Sequence, residues 1–142
     1  MAWVRDILDA KGRDVYRVGP GDMVLDALKL MAEKDLGAVL VTEDDRLVGI
    51  FTERRYAREV FLKGRASPAT KVGDVMEREV ITVSPDETAE TCMALMTEHR
   101  TRHLPVLVHD RLVGVISIGD LMKSIIEDRE FHIGQLVGYV AR

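Results

Sequence analysis

An internal repeat constrains the fold of this chain more than any other feature of its sequence. When 65 is added to positions in the first half, Asp45-Arg46-Leu47-Val48-Gly49 falls on Asp110-Arg111-Leu112-Val113-Gly114. In the same register, Pro20 falls on Pro85 and Leu30-Met31 falls on Leu95-Met96. A unit of this size buries too little apolar surface to be stable alone. We therefore expect two copies that pack on one another with pseudo-twofold symmetry.

Each copy has the apolar pattern of strand–helix–strand–strand–helix, which predicts a mixed α+β (α/β) fold. The predicted division of the chain is an N-terminal helical segment over 1–14, repeat 1 over 15–64, a linker over 65–79, repeat 2 over 80–128 and a C-terminal helical tail over 129–142. The first strands are predicted at 15–18 and 80–83. The last helix of repeat 2 is expected to end near residue 128, with one or two further turns over 133–140.

Cap and turn signals set the predicted helix ends. Gly12, Gly37 and Gly64 are each expected to end a helix, Gly37 in the left-handed conformation that glycine adopts easily. The run from Ser84 to Glu87 predicts a capping box at the start of a helix, with Ser84 as the N-cap.

Composition excludes several classes of function. A net charge of −4 and a pI near 5.6 give no electrostatic footprint for duplex nucleic acid or an anionic membrane. No apolar run approaches the roughly 20 residues of a membrane span, and no signal peptide is visible. The single cysteine, Cys92, excludes an internal disulfide and is expected to be a buried, inert thiol. We expect a cytoplasmic protein with neither nucleic acid nor membrane as a partner.

Motifs for catalysis and metal binding are also absent from the sequence. It contains no P-loop, no G-x-G-x-x-G, no His-Glu-x-x-His and no nucleophile elbow. His132 has no nearby partner at ligand spacing, so no metal site is predicted. The sequence therefore predicts no catalytic residues and a protein that is not an enzyme.

The most informative polar residues lie where a predicted strand meets a helix. Ser117 ends a strand and Asp120 follows three residues later; in repeat 1 the same places hold Thr52 and Arg55. Ser and Asp in this spacing can simply cap a helix, and the carboxylate can also accept both hydroxyls of a ribose. Arg55 cannot do the latter because a guanidinium only donates.

Two sequence motifs in the second half of the chain resemble those of a known family. The stretches Gly114-Val115-Ile116-Ser117-Ile118-Gly119-Asp120 and Arg102-His103-Leu104-Pro105-Val106, within a tandem repeat, are similar to a pair of CBS domains, a Bateman module, and in particular to its stand-alone members. The resemblance implies a binding module for adenine nucleotides such as AMP, ATP or NAD, as bound ligand without a metal. It also implies that two pairs associate into a disc-like dimer.

The resemblance further implies two clefts, each shared between the repeats. The nucleotide-binding residues implied for the first are Val15, Leu36, Gly37, Ala38, Arg102, His103, Val115, Ser117, Gly119 and Asp120, with Ile7 nearby. Those implied for a second, degenerate cleft are Thr52, Arg54, Arg55 and Thr101. This second cleft is expected to be empty or biased towards phosphate-rich ligands.

The function expected on this basis is a non-enzymatic sensor that binds an adenine nucleotide and acts as a homodimer on an unidentified regulated protein. The dimer face is expected to include Met31, Met96 and the pair Ile125-Ile126. Two alternatives stay open, namely a structural dimerisation module with vestigial clefts and an enzyme acting on a nucleotide.

Overall fold

A computed structural model describes residues 2–140, except for seven side chains near the C-terminus of the last helix. These are Phe131, His132, Gln135, Leu136, Gly138, Tyr139 and Val140. The sequence-based prediction about His132 lies outside the described side chains.

Backbone contacts divide the chain into two units, and each is described by itself. The first-repeat unit comprises Asp14–Val80 and the turn His109–Leu112. The second-repeat unit comprises the N-terminal residues up to Arg13, the segment Ile81–Val108 and the chain from Val113 onward. The N-terminal segment therefore belongs with the second repeat, although it precedes the first in sequence.

In each half of the chain, two consecutive strands lie between helices, as the repeat predicts. In chain order they are α1 (Val4–Lys11), β1 (Arg17–Val18), α2 (Val24–Lys34), β2 (Ala38–Glu43), β3 (Arg46–Thr52), α3 (Glu53–Tyr56), a π-helical turn (Ala57–Phe61), a 3₁₀ turn (Ser67–Ala69), α4 (Val72–Val75), α5 (Ala89–His99), β4 (His103–Val108), β5 (Arg111–Ser117) and α6 (Ile118–Val140).

The first-repeat unit is built on a three-stranded sheet in the order β1-β2-β3. β1 pairs with β2 in parallel, and β2 and β3 form an antiparallel hairpin in which Ala38 lies opposite Thr52. Helices α2 and α4 and the π-helical turn supply the rest of the core. Its buried residues are Val24, Ala27, Met31, Val39, Val41, Phe51, Val60, Val72, Val75 and Met76.

The second-repeat unit contains the two-stranded hairpin β4-β5 and helices α1, α5 and α6. The strand predicted at 80–83 is wrong, because only Val83 exchanges hydrogen bonds with β4, as an isolated parallel bridge to Val106. The buried core residues are Val4, Ile7, Leu8, Val83, Ala89, Cys92, Met96, Leu104, Val106, Ile116 and Leu121. Cys92 is fully buried as predicted, and burial raises the pKa of its thiol to about 11.

One glycine in each hairpin lets a helical segment from outside the hairpin lie directly on the strand. A Cβ on Gly114 would lie 2.6 Å from Leu8 Cδ2, and a Cβ on Gly49 would lie 2.6 Å from Met76 Sδ and 2.9 Å from the carbonyl oxygen of Glu77. The two glycines are 65 residues apart, so α1 covers the second repeat in the way that α4 covers the first.

Two predicted helix caps are wrong. The left-handed residue after α2 is Asp35 (φ 54°) and not Gly37, and its equivalent after α5 is Arg100 (φ 52°). Helix α5 is capped by Thr88, whose hydroxyl oxygen accepts from the amide of Thr91. Ser84 forms a turn instead, because the carbonyls of Pro85 and Glu87 accept from the N-terminal amides of α1.

Two predictions about the C-terminal region and the dimer face also need correction. The break predicted after residue 128 does not exist, since α6 runs without interruption from Ile118 to Val140.

Met31 and Met96 are each only 3% exposed in the cores of their units, so they cannot form a dimer face. Ile126 is half exposed, as that prediction requires, whereas Ile125 packs partly against the core.

Candidate functional site in the second-repeat unit

Ser117 and Asp120 form a reciprocal capping box at the junction of β5 and α6. The Asp120 amide donates to Ser117 Oγ at 3.1 Å, and the Ser117 amide donates to Asp120 Oδ2 at 2.9 Å. Both residues are partly buried. The capping role is therefore real, and it also fixes the orientation of the carboxylate.

Lys11, the last residue of α1, lies against this carboxylate. Its ammonium nitrogen is 2.6 Å from Asp120 Oδ2 and 2.9 Å from the carbonyl oxygen of Val115. The Lys11 and Asp120 side chains are 31% and 23% exposed, so the ion pair is open to solvent on one side. Among the described residues, none donates to Asp120 Oδ1.

Opposing effects act on the ionisation of Asp120. Burial raises the pKa of this carboxyl, but the hydrogen bonds from Lys11 and from the Ser117 amide outweigh it and hold the pKa below its usual value. Asp120 is thus a carboxylate at neutral pH, as an acceptor of hydroxyl groups must be.

The segment from Thr101 to His103 is joined to the start of α6. The Ile118 amide donates to the carbonyl of Arg102 at 2.9 Å, and the Thr101 hydroxyl donates to the carbonyl of His103 at 3.2 Å. Arg102 is exposed and His103 is half-buried. This unit therefore brings Arg102, His103, Ser117 and Asp120 into one region.

His103 is sensitive to this cluster of charges. Burial lowers its pKa, and the nearby Lys11 and Arg102 lower it further, whereas Asp120 opposes them. With its pKa below the ordinary value of 6.5, His103 is neutral at pH 7. The neutral ring of His103 offers a ligand hydrogen bonding without positive charge.

Val115 and Gly119, the remaining predicted site residues of this unit, border the same junction. Val115 is a half-buried residue of β5 whose carbonyl accepts from Lys11, and Gly119 is exposed in the first turn of α6. A Cβ on Gly119 would come no closer than 3.7 Å to Ser117 Oγ, so the surface above this turn is open.

The corresponding region of the first-repeat unit contains the other predicted residues. The Glu53 amide donates to the carbonyl of Gly37 at 3.1 Å, which repeats the Ile118–Arg102 contact 65 residues earlier. Leu36 follows the left-handed turn after α2, and Ala38 begins β2. Val15 is half-buried just before β1. The part that Val15, Leu36, Gly37 and Ala38 play in a nucleotide site stays a prediction.

Arg55 is bound to the segment that follows α4. Its guanidinium donates to the carbonyls of Val75 (2.6 Å) and Met76 (3.4 Å) and to Glu77 Oε2 (3.2 Å). The side chain is 33% exposed. Thr52 caps α3 by accepting from the Arg55 amide at 3.0 Å, and Arg54 is exposed beside them. The guanidinium therefore supports the local fold through three of its five N–H groups.

Lys11 and Glu77 are the residues that sequence reasoning missed. Lys11 is 109 residues from its partner Asp120 and lies outside both predicted repeats. The usable signal was the pair Gly49 and Gly114, whose lack of a side chain implies a close neighbour in each unit. Those neighbours, Met76 and Leu8, are one and three residues before Glu77 and Lys11.

A family model for the CBS domain matches this chain twice, over residues 4–61 and 72–127. The chain belongs to the CBS-domain family. The two matches divide it as the repeat does, and the first match begins within α1. The fold predicted from the resemblance, a tandem pair of CBS domains, is confirmed.

Relatives and solved structures of this family cover most of the chain. A mitochondrial CBS domain-containing protein of Arabidopsis thaliana, CBSX3, is 35% identical over 96% of this chain and 71% of its own length. The CBS domain-containing protein YhcV of Bacillus subtilis is 32% identical over 81% of each chain. The structure of a putative signal-transduction protein with CBS domains from Burkholderia ambifaria is 53% identical, with a TM-score of 0.86, over 89% of this chain and 96% of that chain.

CBS pairs are generally regulatory modules that bind adenosine ligands. Within the described part of the chain, no three His, Cys, Asp or Glu side chains are grouped as metal ligands. Of the helices described for residues 2–140, none has the length and apolar character needed to cross a membrane.

Proposed function

We propose that this CBS pair is a regulatory module that binds an adenine nucleotide of the AMP, ATP or NAD class and acts on a partner protein as a homodimer, without catalysis of its own. One observation carries the proposal: the Asp120 carboxylate is held in a fixed orientation by Ser117, beside basic groups and partly exposed, and no described residue donates to its Oδ1. A carboxylate in this setting accepts the two hydroxyls of a ribose. The neighbouring cations suit its phosphate.

Calorimetric titration tests the ribose assignment directly. Wild-type protein, Asp120→Ala and Asp120→Asn would each be titrated with AMP, ATP and NAD. Loss of a charge-assisted acceptor should weaken binding by about tenfold or more. Asp120→Asn keeps the shape of the side chain, so it separates loss of the charge from loss of the helix cap. Wild-type affinity in both variants would refute the assignment.

A control for this titration lies on the same helix. Glu127 is exposed seven residues after Asp120, so Glu127→Ala removes one carboxylate without touching the capping box. Its affinities should equal those of the wild type. A comparable loss in Glu127→Ala would mean that net charge, and not a hydrogen bond to ribose, governs the interaction.

Two further measurements distinguish the alternative functions. A ligand at a hundred times its Kd should add about 2.7 kcal/mol to stability, so the absence of any thermal shift across a nucleotide panel would favour a structural module with vestigial clefts. Product formed from ATP or NAD in the presence of Mg²⁺ would favour an enzyme.

Exposed apolar side chains at equivalent positions support a homodimer. Phe61 and Ile126 are 65 residues apart, and they are 70% and 50% exposed. A groove of about 590 Å³ lies beside Ile126, between α5 and α6. Its lining residues are Glu90, Met93, Ala94, Thr97, Glu98, Ile125, Asp128 and Arg129. Exposed apolar side chains at equivalent positions of a pseudosymmetric chain, one of them near an apolar groove, suit a second copy of the same chain.

Sedimentation equilibrium tests the homodimer. Ile126→Lys places a charge on the apolar face and should shift the protein towards monomer, whereas Glu127→Lys introduces the same side chain one residue away and should not. A monomeric wild type, or equal effects of the two variants, would argue against this face.

A further inference from the structure

Lys11 occupies one of the two Asp120 carboxylate oxygens that a ribose would engage if it bound to both. Asp120 Oδ2 already accepts from the Ser117 amide and from the Lys11 ammonium. A carboxylate oxygen has two lone pairs, so these two donors saturate Oδ2. A ribose that engages both carboxylate oxygens must therefore displace Lys11.

The backbone of Lys11 is fixed, whereas its side chain can move. Helix α1 is held by Val4, Ile7 and Leu8, which are buried in the core of the second-repeat unit. It is also held by a hydrogen bond from the Val4 amide to the carbonyl of Glu87. The ammonium lies at the end of a flexible four-carbon stem and is partly open to solvent. It can change its partner without moving the helix.

A displaced ammonium would need a new anion close by. Its surroundings are already basic, because Lys11 and Arg102 both act on His103 and only Asp120 opposes them. With His103 neutral, the group formed by Lys11, Arg102 and Asp120 has a net charge of +1. A phosphate that enters together with the ribose would supply the missing negative charge, whereas a neutral nucleoside would leave the ammonium without a partner.

We propose that Lys11 determines the ligand class of this site: on binding, it gives up Asp120 to the ribose and pairs with the phosphate, so that the site selects phosphorylated adenine nucleosides over neutral ones. The inference rests on the proposed function. It adds a residue that discriminates between ligands carrying the same ribose and base.

Paired titrations with AMP and adenosine test this inference, because the two ligands differ only in the phosphate. Wild-type protein should prefer AMP by about tenfold or more. In Lys11→Met, which keeps the length of the side chain without its charge, AMP should bind more weakly and adenosine more tightly. The ratio of the two affinities should fall about tenfold. Lys11→Arg should keep most of the preference.

Arg13→Met is the matched control. Arg13 lies two residues from Lys11 and pairs with Asp9 at 2.7 Å, so this variant removes one cation from the same segment without touching Asp120. Its ratio should equal that of the wild type. Circular dichroism and thermal unfolding would establish that all variants are folded.

The possible failures are distinguishable. If the wild type binds both ligands, Asp120→Ala loses both, and Lys11→Met leaves the ratio unchanged, the nucleotide site stands and the role of Lys11 is refuted. If the wild type binds neither ligand, the proposed function falls and this inference falls with it. A fall in the ratio that Arg13→Met reproduces would indicate a general effect of net charge and would also overturn the inference.

Discussion

Asp120 and Arg55 occupy equivalent positions in the two repeats, and each forms an ion pair with a residue of opposite charge. Asp120 pairs with Lys11 just after Leu8, and Arg55 pairs with Glu77 just after Met76. The sign of the charge is thus reversed on both sides of the pair. Each repeat therefore has an ion pair at this junction, with the two charges exchanged between the repeats.

Reversing the charge of Arg55 alone should therefore destabilise the protein. Arg55→Asp places a carboxylate opposite Glu77 and removes the donors to the carbonyls of Val75 and Met76. We expect a loss of about 1–3 kcal/mol in the free energy of unfolding, measured with urea. Arg55→Asp with Glu77→Lys should recover part of it. Arg58→Asp, at an exposed position, is the control. An equal loss in the control would argue against a specific pair.

The ion pair of Asp120 should give a measurable acid dependence. The folded-state pKa of Asp120 is lowered, so its ionisation contributes to the free energy of unfolding. This contribution is fully present above the unfolded-state pKa of the carboxyl, and it is lost as the pH falls through the folded-state pKa. At pH 7, the free energy of unfolding measured with urea should be about 1 kcal/mol larger for the wild type than for Asp120→Asn. The difference should vanish in strong acid. A gap that persists in strong acid would point to a packing defect.

His103 should titrate below its ordinary pKa of 6.5. The unfolded chain therefore binds a proton at this histidine at a higher pH than the folded protein does. As the pH falls from the unfolded-state pKa towards the folded-state pKa, the free energy of unfolding decreases. NMR titration of the ring should show a higher pKa in Lys11→Met and a lower one in Asp120→Asn, because those side chains act in opposite directions. Shifts of the same sign would contradict the described cluster.

Gly49 should tolerate no side chain. An alanine Cβ would meet the Sδ of the buried Met76 and the backbone oxygen of Glu77, and the backbone oxygen cannot move without breaking the bridge between Glu77 and Ile50. We expect Gly49→Ala to cost about 1–3 kcal/mol in unfolding free energy. A Cβ on Gly21 has nothing within 4 Å, so Gly21→Ala is the control. Equal stabilities would refute the close contact.

Features with a local or periodic signal could be predicted from the sequence, and features set by distant contacts could not. The hairpins follow from alternating apolar runs around polar turns, and both turns contain residues with positive φ at equivalent places, Asp44-Asp45 and His109-Asp110. Ser84 carries the local signal of a helix cap. No helix begins there, because the first amides of α1, which is distant in sequence, donate to the carbonyls of Pro85 and Glu87.

The candidate site divides in the same way. Ser117 and Asp120 could be found because three residues separate them and a turn joins them. The neutral state of His103 depends on burial and on Lys11, and neither can be read from its neighbours in sequence. Arg55 was recognised as a departure from the family pattern, but its ion pair with Glu77, 22 residues further along, was not.

The position of α1 has a consequence for the order in which the protein assembles as it is synthesised. Helix α1 is made before either repeat, yet its lysine bonds to residues 104 and 109 positions later. The whole of the first-repeat unit is made in between. Contacts so distant in sequence close late, because the intervening chain must be ordered first. The carboxylate that we assign to the ribose therefore gains its lysine partner only after the first-repeat unit has been made.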